Sequence, residues 1–264
     1  MIEQKNLLLK AYSRLETLIN AEGYTIRIET NFEKIREEIE AAGKEVSQHF
    51  WPMFFDYNFN NGFCTILDYE GAGVAYLCYQ RIDLGGMNFW DKHLQRLRQC
   101  FGRDENARLN ADWVCDPMKD YTGIGAYSGD ALTNPKWRSR GAKEMLELGA
   151  ALSQVLALLY WPEIEWIVGM ARERDIKRGL GAIYGATTTV PLAEVWDVLP
   201  RNADGSLARK NGYWFLATRR ENALFLAKCA EQGHLFGPSK IQLDTEVQLA
   251  KWAVVEGSSQ PGNN

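Results

Sequence analysis

The sequence has little of what metal or disulfide chemistry needs. It holds three histidines and five cysteines (Cys64, Cys78, Cys100, Cys115, Cys229), which are odd in number, widely spaced and without a C-x-x-C pair. That pattern argues against a disulfide framework or a zinc site, so the thiols read as structural and no metal is expected. Positive charge is not in excess either. With 30 basic against 34 acidic residues the formal charge is -4, which gives no counterion-release drive toward nucleic acid. No stretch reaches the roughly 20 apolar residues that span a bilayer. Glu3, Lys5, Lys10, Arg14 and Glu16 interrupt residues 1–22, where a signal peptide would need an apolar run. Nucleic acid and membrane are therefore not expected as partners, and the cytoplasm is the expected compartment.

What is present suits an ordinary globular protein: 264 residues, 46% hydrophobic, enough for one enlarged α/β domain or a domain with a small appendage. Leu8, Tyr12, Leu15 and Ile19 recur at helix spacing, and Tyr24, Ile26 and Ile28 alternate as a strand. Thr30 and Glu33 have capping-box spacing before a helix whose buried side is Ile35, Ile39 and Val46. An aromatic-rich connection (Trp51 to Phe59) leads to a hairpin, Phe63–Leu67 and Val74–Ile82, closed by Asp68 to Gly73. A helix through Trp90, Leu94, Leu97 and Phe101 precedes a polar loop, Gly102 to Asp112, and a strand over Tyr121–Thr133. Arg140 to Tyr160 lacks proline and is dense in Leu and Ala, which predicts a long, largely buried helix. Strands at Ile164–Met170, Val190–Val198 and Tyr213–Thr218, a loop at Arg201–Gly212, a helix at Glu221–Glu231 and a disordered tail from Gly257 complete the reading.

Chemistry is concentrated between Ser128 and Leu146, where a strand ends at Pro135 and a helix opens through Arg138-Ser139-Arg140-Gly141. Such a helix start exposes unpaired N–H groups and the positive end of the dipole, which together suit a diphosphate. Gly141 permits close approach, and Arg138 and Arg140 can add charge-assisted hydrogen bonds. By itself an R-x-R-G string also reads as a basic, well-capped helix start on a solvated surface. Its position after a strand and before a long apolar helix is what an anion-binding turn requires.

This segment resembles the acetyl-CoA motif of the GNAT superfamily, (Q/R)-x-x-G-x-(G/A), at the junction of the fourth strand and third helix. Arg138, Ser139, Arg140, Gly141 and Ala142 match, and Lys143 stands where the family usually has Gly or Ala. The resemblance implies a mixed α/β (α+β) fold with a mainly antiparallel twisted sheet flanked by helices. It would cover residues 23–220, with an insertion at about 85–119, a packed N-terminal helix (1–22) and a C-terminal helix and tail (221–264). It implies an N-acyltransferase that moves an acetyl or other acyl group from acyl-CoA to a small-molecule or peptide amine. Leu132, Thr133 and Arg138 to Lys143 would hold the acyl-CoA co-substrate, and Asp130 would serve the acceptor as base, while by itself it reads equally as a turn or strand-edge Asp with a structural hydrogen bond.

The family's usual tyrosine acid falls on Lys177, which leaves Tyr184 as the nearby substitute, although a strand aromatic packed on the core is the plainer reading. Arg172, Arg174, Lys177 and Arg178 read either as a solvated helix face or as a path for CoA phosphates. The aromatic cluster suits plain core or a long acyl chain. The latter keeps open a synthase of long-chain N-acyl amino acids, fed by CoA or acyl carrier protein, beside a catalytically silent CoA-binding module. His49 and His93 read as lone histidines without a nucleophile or ligand partner. A homodimer is left open.

Overall fold

In the computed structural model, which describes residues 2–137, 142–202 and 204–235, the order of elements follows the periodicity. Helix α1 (Ile2–Ala21), strand β1 (Thr25–Glu29) and helix α2 (Phe32–Ala41) precede the hairpin of β2 (Gly62–Tyr69) and β3 (Ala72–Asp83). Helix α3 (Phe89–Phe101) and the short β4 (Arg108–Leu109) fill the insertion before β5 (Ile124–Thr133). Then come α4 (Ala142–Tyr160), β6 (Trp166–Arg172), the single turns α5 (Glu173–Ile176) and α6 (Leu180–Ile183), β7 (Thr188–Val190), β8 (Trp196–Val198), β9 (Tyr213–Arg219) and α7 (Arg220–Glu231).

The main sheet has the order β1-β2-β3-β5-β6-β9-β7. Every neighbouring pair in it is antiparallel except β5 with β6, which is parallel. This is the mixed, mainly antiparallel α/β sheet expected from the sequence, and β5 is its fourth strand in chain order. Alternation along the strands divides the core into two layers. Phe63, Leu67, Ala75, Leu77, Tyr79 and Ile167 face α1, α4 and α7. Cys64, Ile66, Tyr76, Cys78, Tyr127, Val168 and Phe215 face α2, α3 and the connection around Phe50. Helix α4 is covered by the sheet on one side and by α1 and α7 on others, which explains why it is apolar nearly all round. Leu148, Leu152 and Val155 are almost fully buried there, and each such side chain stabilises the fold by roughly 1.5–3 kcal/mol relative to exposure.

Local chemistry sets several boundaries. The hairpin turn is tighter than the sequence suggests, because Glu70 (φ 51°) and Gly71 (φ 77°) both take left-handed conformations, as a two-residue turn between twisted strands demands. Helix α2 is capped by Asn31, whose side chain accepts from the N–H groups of Glu33 and Lys34 at 3.1 and 3.2 Å. The expected Thr30–Glu33 box therefore does not form: Glu33 stands one position too early to reach back to the cap. Val46 is buried but lies beyond the helix. The single strand expected at Val190–Val198 divides in two, since Pro191 has no N–H for a ladder and Leu192 has φ 50°. Its first part, β7, joins the edge of the main sheet, and β8 pairs instead with β4 in a separate ribbon, inside what read as the loop Gly102–Asp112. The expected tail from Gly257 lies outside the described residues. Among the described residues no helix is long and apolar enough to cross a membrane.

Candidate active site

The two parallel strands part company soon after they meet. β5 and β6 pair at Ala126↔Ile167, Tyr127↔Val168 and Ser128↔Gly169, and no further. Gly169 makes the last of these pairings close, because a Cβ there would stand 2.8 Å from the Ser128 carbonyl oxygen. Beyond it β5 follows β3, through Tyr76↔Leu132 and Ala75↔Thr133, while β6 follows β9. The β6-facing backbone edge of residues 129–133 is left without a strand partner among the described residues. Between the diverging strands lies a cleft of about 870 Å³. It passes through the sheet: Leu146, Gln154, Ile183 and Tyr184 line it on the α4 side, and Ser47, Tyr127, Arg209 and Tyr213 on the α2–α3 side.

Asp130 occupies the bend that opens this cleft. Cys78 pairs with Gly129 and Tyr76 with Leu132, so β5 carries one residue more than β3 across this step, and Asp130 sits in that bulge with φ 48°. A bulge re-aims the side chain it carries. Here the half-buried carboxylate turns to the connection after α2, where both oxygens accept from the Ser47 N–H at 3.0 Å. Burial pushes its pKa up to about 7, against the opposing pull of that hydrogen bond and of the Arg172 charge. A carboxyl poised near neutrality at the lip of a cleft has the character of a general base.

Tyr184 also lines the cleft, from the far side of the sheet. Its ring is buried as the packed-aromatic reading expects, yet its hydroxyl finds no hydrogen-bond partner among the described residues. Burial drives its pKa well up, so the phenol keeps its proton. Gln154 fixes the same turn by donating to the Tyr184 carbonyl.

Leu132 and Thr133 line the cleft on the free edge of β5. Arg138, Ser139, Arg140 and Gly141 lie outside the described residues. Ala142 and Lys143 open α4, and Leu146, one turn further on, reaches the cleft, so the helix start lies beside the cavity. Of the basic group, Arg172, Arg174 and Arg178 line the cleft. Lys177 stands away in an exposed pair with Glu173 at 2.8 Å and offers no acid in the family tyrosine's place. The aromatics Trp51 to Phe59 do not line the cleft. Tyr57 stacks on Phe32 with ring centres 4.1 Å apart, next to the buried Phe50, while Phe59 is exposed.

The histidines are not lone. His49 and His93 are both buried, with ring centres 5.9 Å apart, and His93 Nε2 lies 3.0 Å from Glu194 Oε2. Glu194 also accepts from Arg209 Nε and, at 2.9 Å, from Arg209 Nη2. Burial opposes the charge of Glu194, but the Arg209 charge and the bonds from His93 and Arg209 outweigh it and hold the carboxyl at about 2. An ionised Glu194 only accepts, so His93 carries its proton on Nε2. Burial keeps both imidazoles below their ordinary pKa and hence neutral. This network escaped sequence reasoning because its members are separated by up to 160 residues. The only available signal was chemical: Glu194 between apolar Ala193 and Val195, in a segment that reads as buried strand.

No protein-family model matches the sequence, and no curated protein matches it. Solved structures similar to it include FeeM, an N-acyl amino acid synthase from uncultured soil microbes (11% identity, 76% of this chain and 92% of that one, TM-score 0.38). The aminoglycoside acetyltransferase AAC(6')-Ib in complex with coenzyme A is another (14%, 75% and 96%, TM-score 0.37). A third is NAA60 of Arabidopsis thaliana with a bisubstrate analogue (10%, 74% and 99%, TM-score 0.36). At these scores the reading of this chain stands on its own sheet and cleft. The strand order, splay and bulge fit the mixed, mainly antiparallel sheet that the sequence resemblance implies.

Proposed function

We propose that the protein is a GNAT-type N-acyltransferase that moves an acetyl or other acyl group from acyl-CoA to an amine by direct attack. The observation that carries this reading is the splay of β5 from β6. It leaves a free backbone edge for the amides of an extended thioester arm and puts a near-neutral carboxyl, Asp130, at its bend. The start of α4 supplies N–H donors for the diphosphate. In the transfer, the amine nitrogen bonds to the thioester carbonyl carbon and the carbon–sulfur bond breaks. Asp130 takes the proton from the nitrogen and Tyr184 supplies one to the departing thiolate, which gives an amide and a free thiol.

The test is binding first and chemistry second. Acetyl-CoA at millimolar concentration is expected to raise the melting temperature, and a Gly141→Glu variant, with a charged side chain at the diphosphate, loses that shift. Thiol release over an amine panel then follows turnover. No shift with the wild-type protein would sink the proposal. A longer acyl chain would have to lie among Leu146, Ile183 and Leu216, the apolar side chains of the cleft. A chain-length series in the same assay separates that reading from acetyl transfer, and binding without release against any amine would mark a silent module.

A further inference from the structure

The α2–α3 mouth of the cleft carries more positive charge than its neighbours neutralise. Arg172 ends β6 in register with Tyr213 of β9, and both share the strand face of Val168 and Phe215. Tyr213 lies between two guanidiniums: Arg209 stacks on its ring at 3.9 Å, and Arg172, its register partner, stands beside it. The two arginines stand near enough to repel each other. Arg209 is buried, with Nε and Nη2 spent on Glu194, and its Nη1 has no hydrogen-bond partner among the described residues. Behind it Arg96, also buried, meets the His49 carbonyl at 3.3 Å and the Phe55 and Tyr127 rings, and has no carboxylate partner among the described residues. Three guanidiniums thus face the fully buried Glu194, with Asp130, Glu45 and Asp175 the other carboxylates on the cleft, and Asp175 is paired with Arg174 at 3.5 Å. The two histidines, held below their ordinary pKa by burial, add no charge.

We infer that this mouth is the seat of the acceptor's own carboxylate: the acceptor is an amine that carries a free carboxyl group, as an amino acid does, held by Arg172 and the free edge of Arg209. The inference rests on the acyl-transfer reading only for the word acceptor. A planar guanidinium fixed by a buried partner presents paired N–H groups to a planar carboxylate. Asp130 lines the same cleft and its side chain points to the same side of the sheet, so a bound amino acid would offer its nitrogen to Asp130 while its carboxyl lies on the arginines. The CoA phosphates are the other anions within reach, but the start of α4, where they would sit, belongs to the opposite layer of the sheet.

The test uses product-like probes, which need no turnover. N-acetyl amino acids and their carboxamides are titrated calorimetrically against the full chain with CoA present, across the common side chains. The acids are expected to bind about tenfold or more tighter than their amides. Arg172→Gln, at an exposed position, removes that preference and leaves CoA affinity where it was. Equal binding of acid and amide, or binding of neither, overturns the inference. So does an Arg172→Gln variant that loses affinity for CoA and keeps the preference for acids, since the arginines would then serve the phosphates. Retained acid preference without thiol release from any amino acid would remove the acyl-transfer reading and leave the carboxylate site standing.

Discussion

Two carboxylates on the α2–α3 side of the sheet, Asp130 and Glu194, are held in opposite states. Asp130 has one backbone donor, Ser47, and a distant arginine, so burial dominates and its pKa rises to about 7. Glu194 is more deeply buried, yet Arg209 and His93 crowd it with donors and charge, and it stays ionised to about 2. The depth of burial does not decide which carboxyl titrates near neutrality; the partners do. Glu194 is spent on fixing an arginine, and Asp130 is left free to exchange a proton.

The largest expected effect comes from removing the free one. Asp130→Asn keeps an oxygen for Ser47 but cannot take a proton, and thiol release should fall by roughly 10²–10⁴-fold. Wild-type kcat/KM should rise with pH through an apparent pKa near 7, a limb the variant lacks. An unchanged pH profile in Asp130→Asn would end the assignment of Asp130 as base. Next in size, Arg209→Met strands Glu194 as a buried, half-partnered charge and should cost about 3–5 kcal/mol in urea unfolding, much of it recovered when Glu194→Gln is added. If the single and double variants unfold alike, the pair does not carry the structure assigned to it.

Tyr184→Phe removes a buried hydroxyl without a partner among the described residues, so stability should rise, by about 1 kcal/mol. Thiol release should fall only on the order of tenfold, because a thiolate of pKa about 8.5 leaves without much help. A loss of stability would mean that the hydroxyl has a partner in solution. The smallest signal is the most diagnostic in sign. Between the ordinary Asp value of 3.8 and about 7 the native state holds a proton on Asp130 that the unfolded chain has lost. The wild type should therefore gain stability relative to Asp130→Asn as pH falls from 8 to 5. Glu194 acts in the reverse sense, with stability that is present above 4.5 and lost as pH falls toward 2. The buried histidines weaken both proteins alike below about 6.5 and cancel in the difference. A gap that stays constant with pH would contradict the raised pKa of Asp130.

Strand, helix and hairpin positions were legible because burial on one face imposes a period of two or 3.6 on the chain, and this sequence keeps both from Leu8 to Ala230. The placement of Asp130, five residues before Pro135, was legible through a resemblance to a motif. Its bulge was not, since an extra residue in β5 shows only against the register of β3. The alternation that reveals a strand also says nothing about which strand it joins, so Val190–Val198 read as one strand although its halves belong to two sheets. Thus the sequence by itself determined the order and amphipathicity of the elements and the helix start beside the cleft, all consequences of local pattern. Tertiary structure alone decided the splay of β5 from β6 and the charge states of Asp130 and Glu194. It also decided the meeting of His93, Glu194, Arg209 and Arg172. Register and desolvation belong to pairs of distant segments, and no single segment records them.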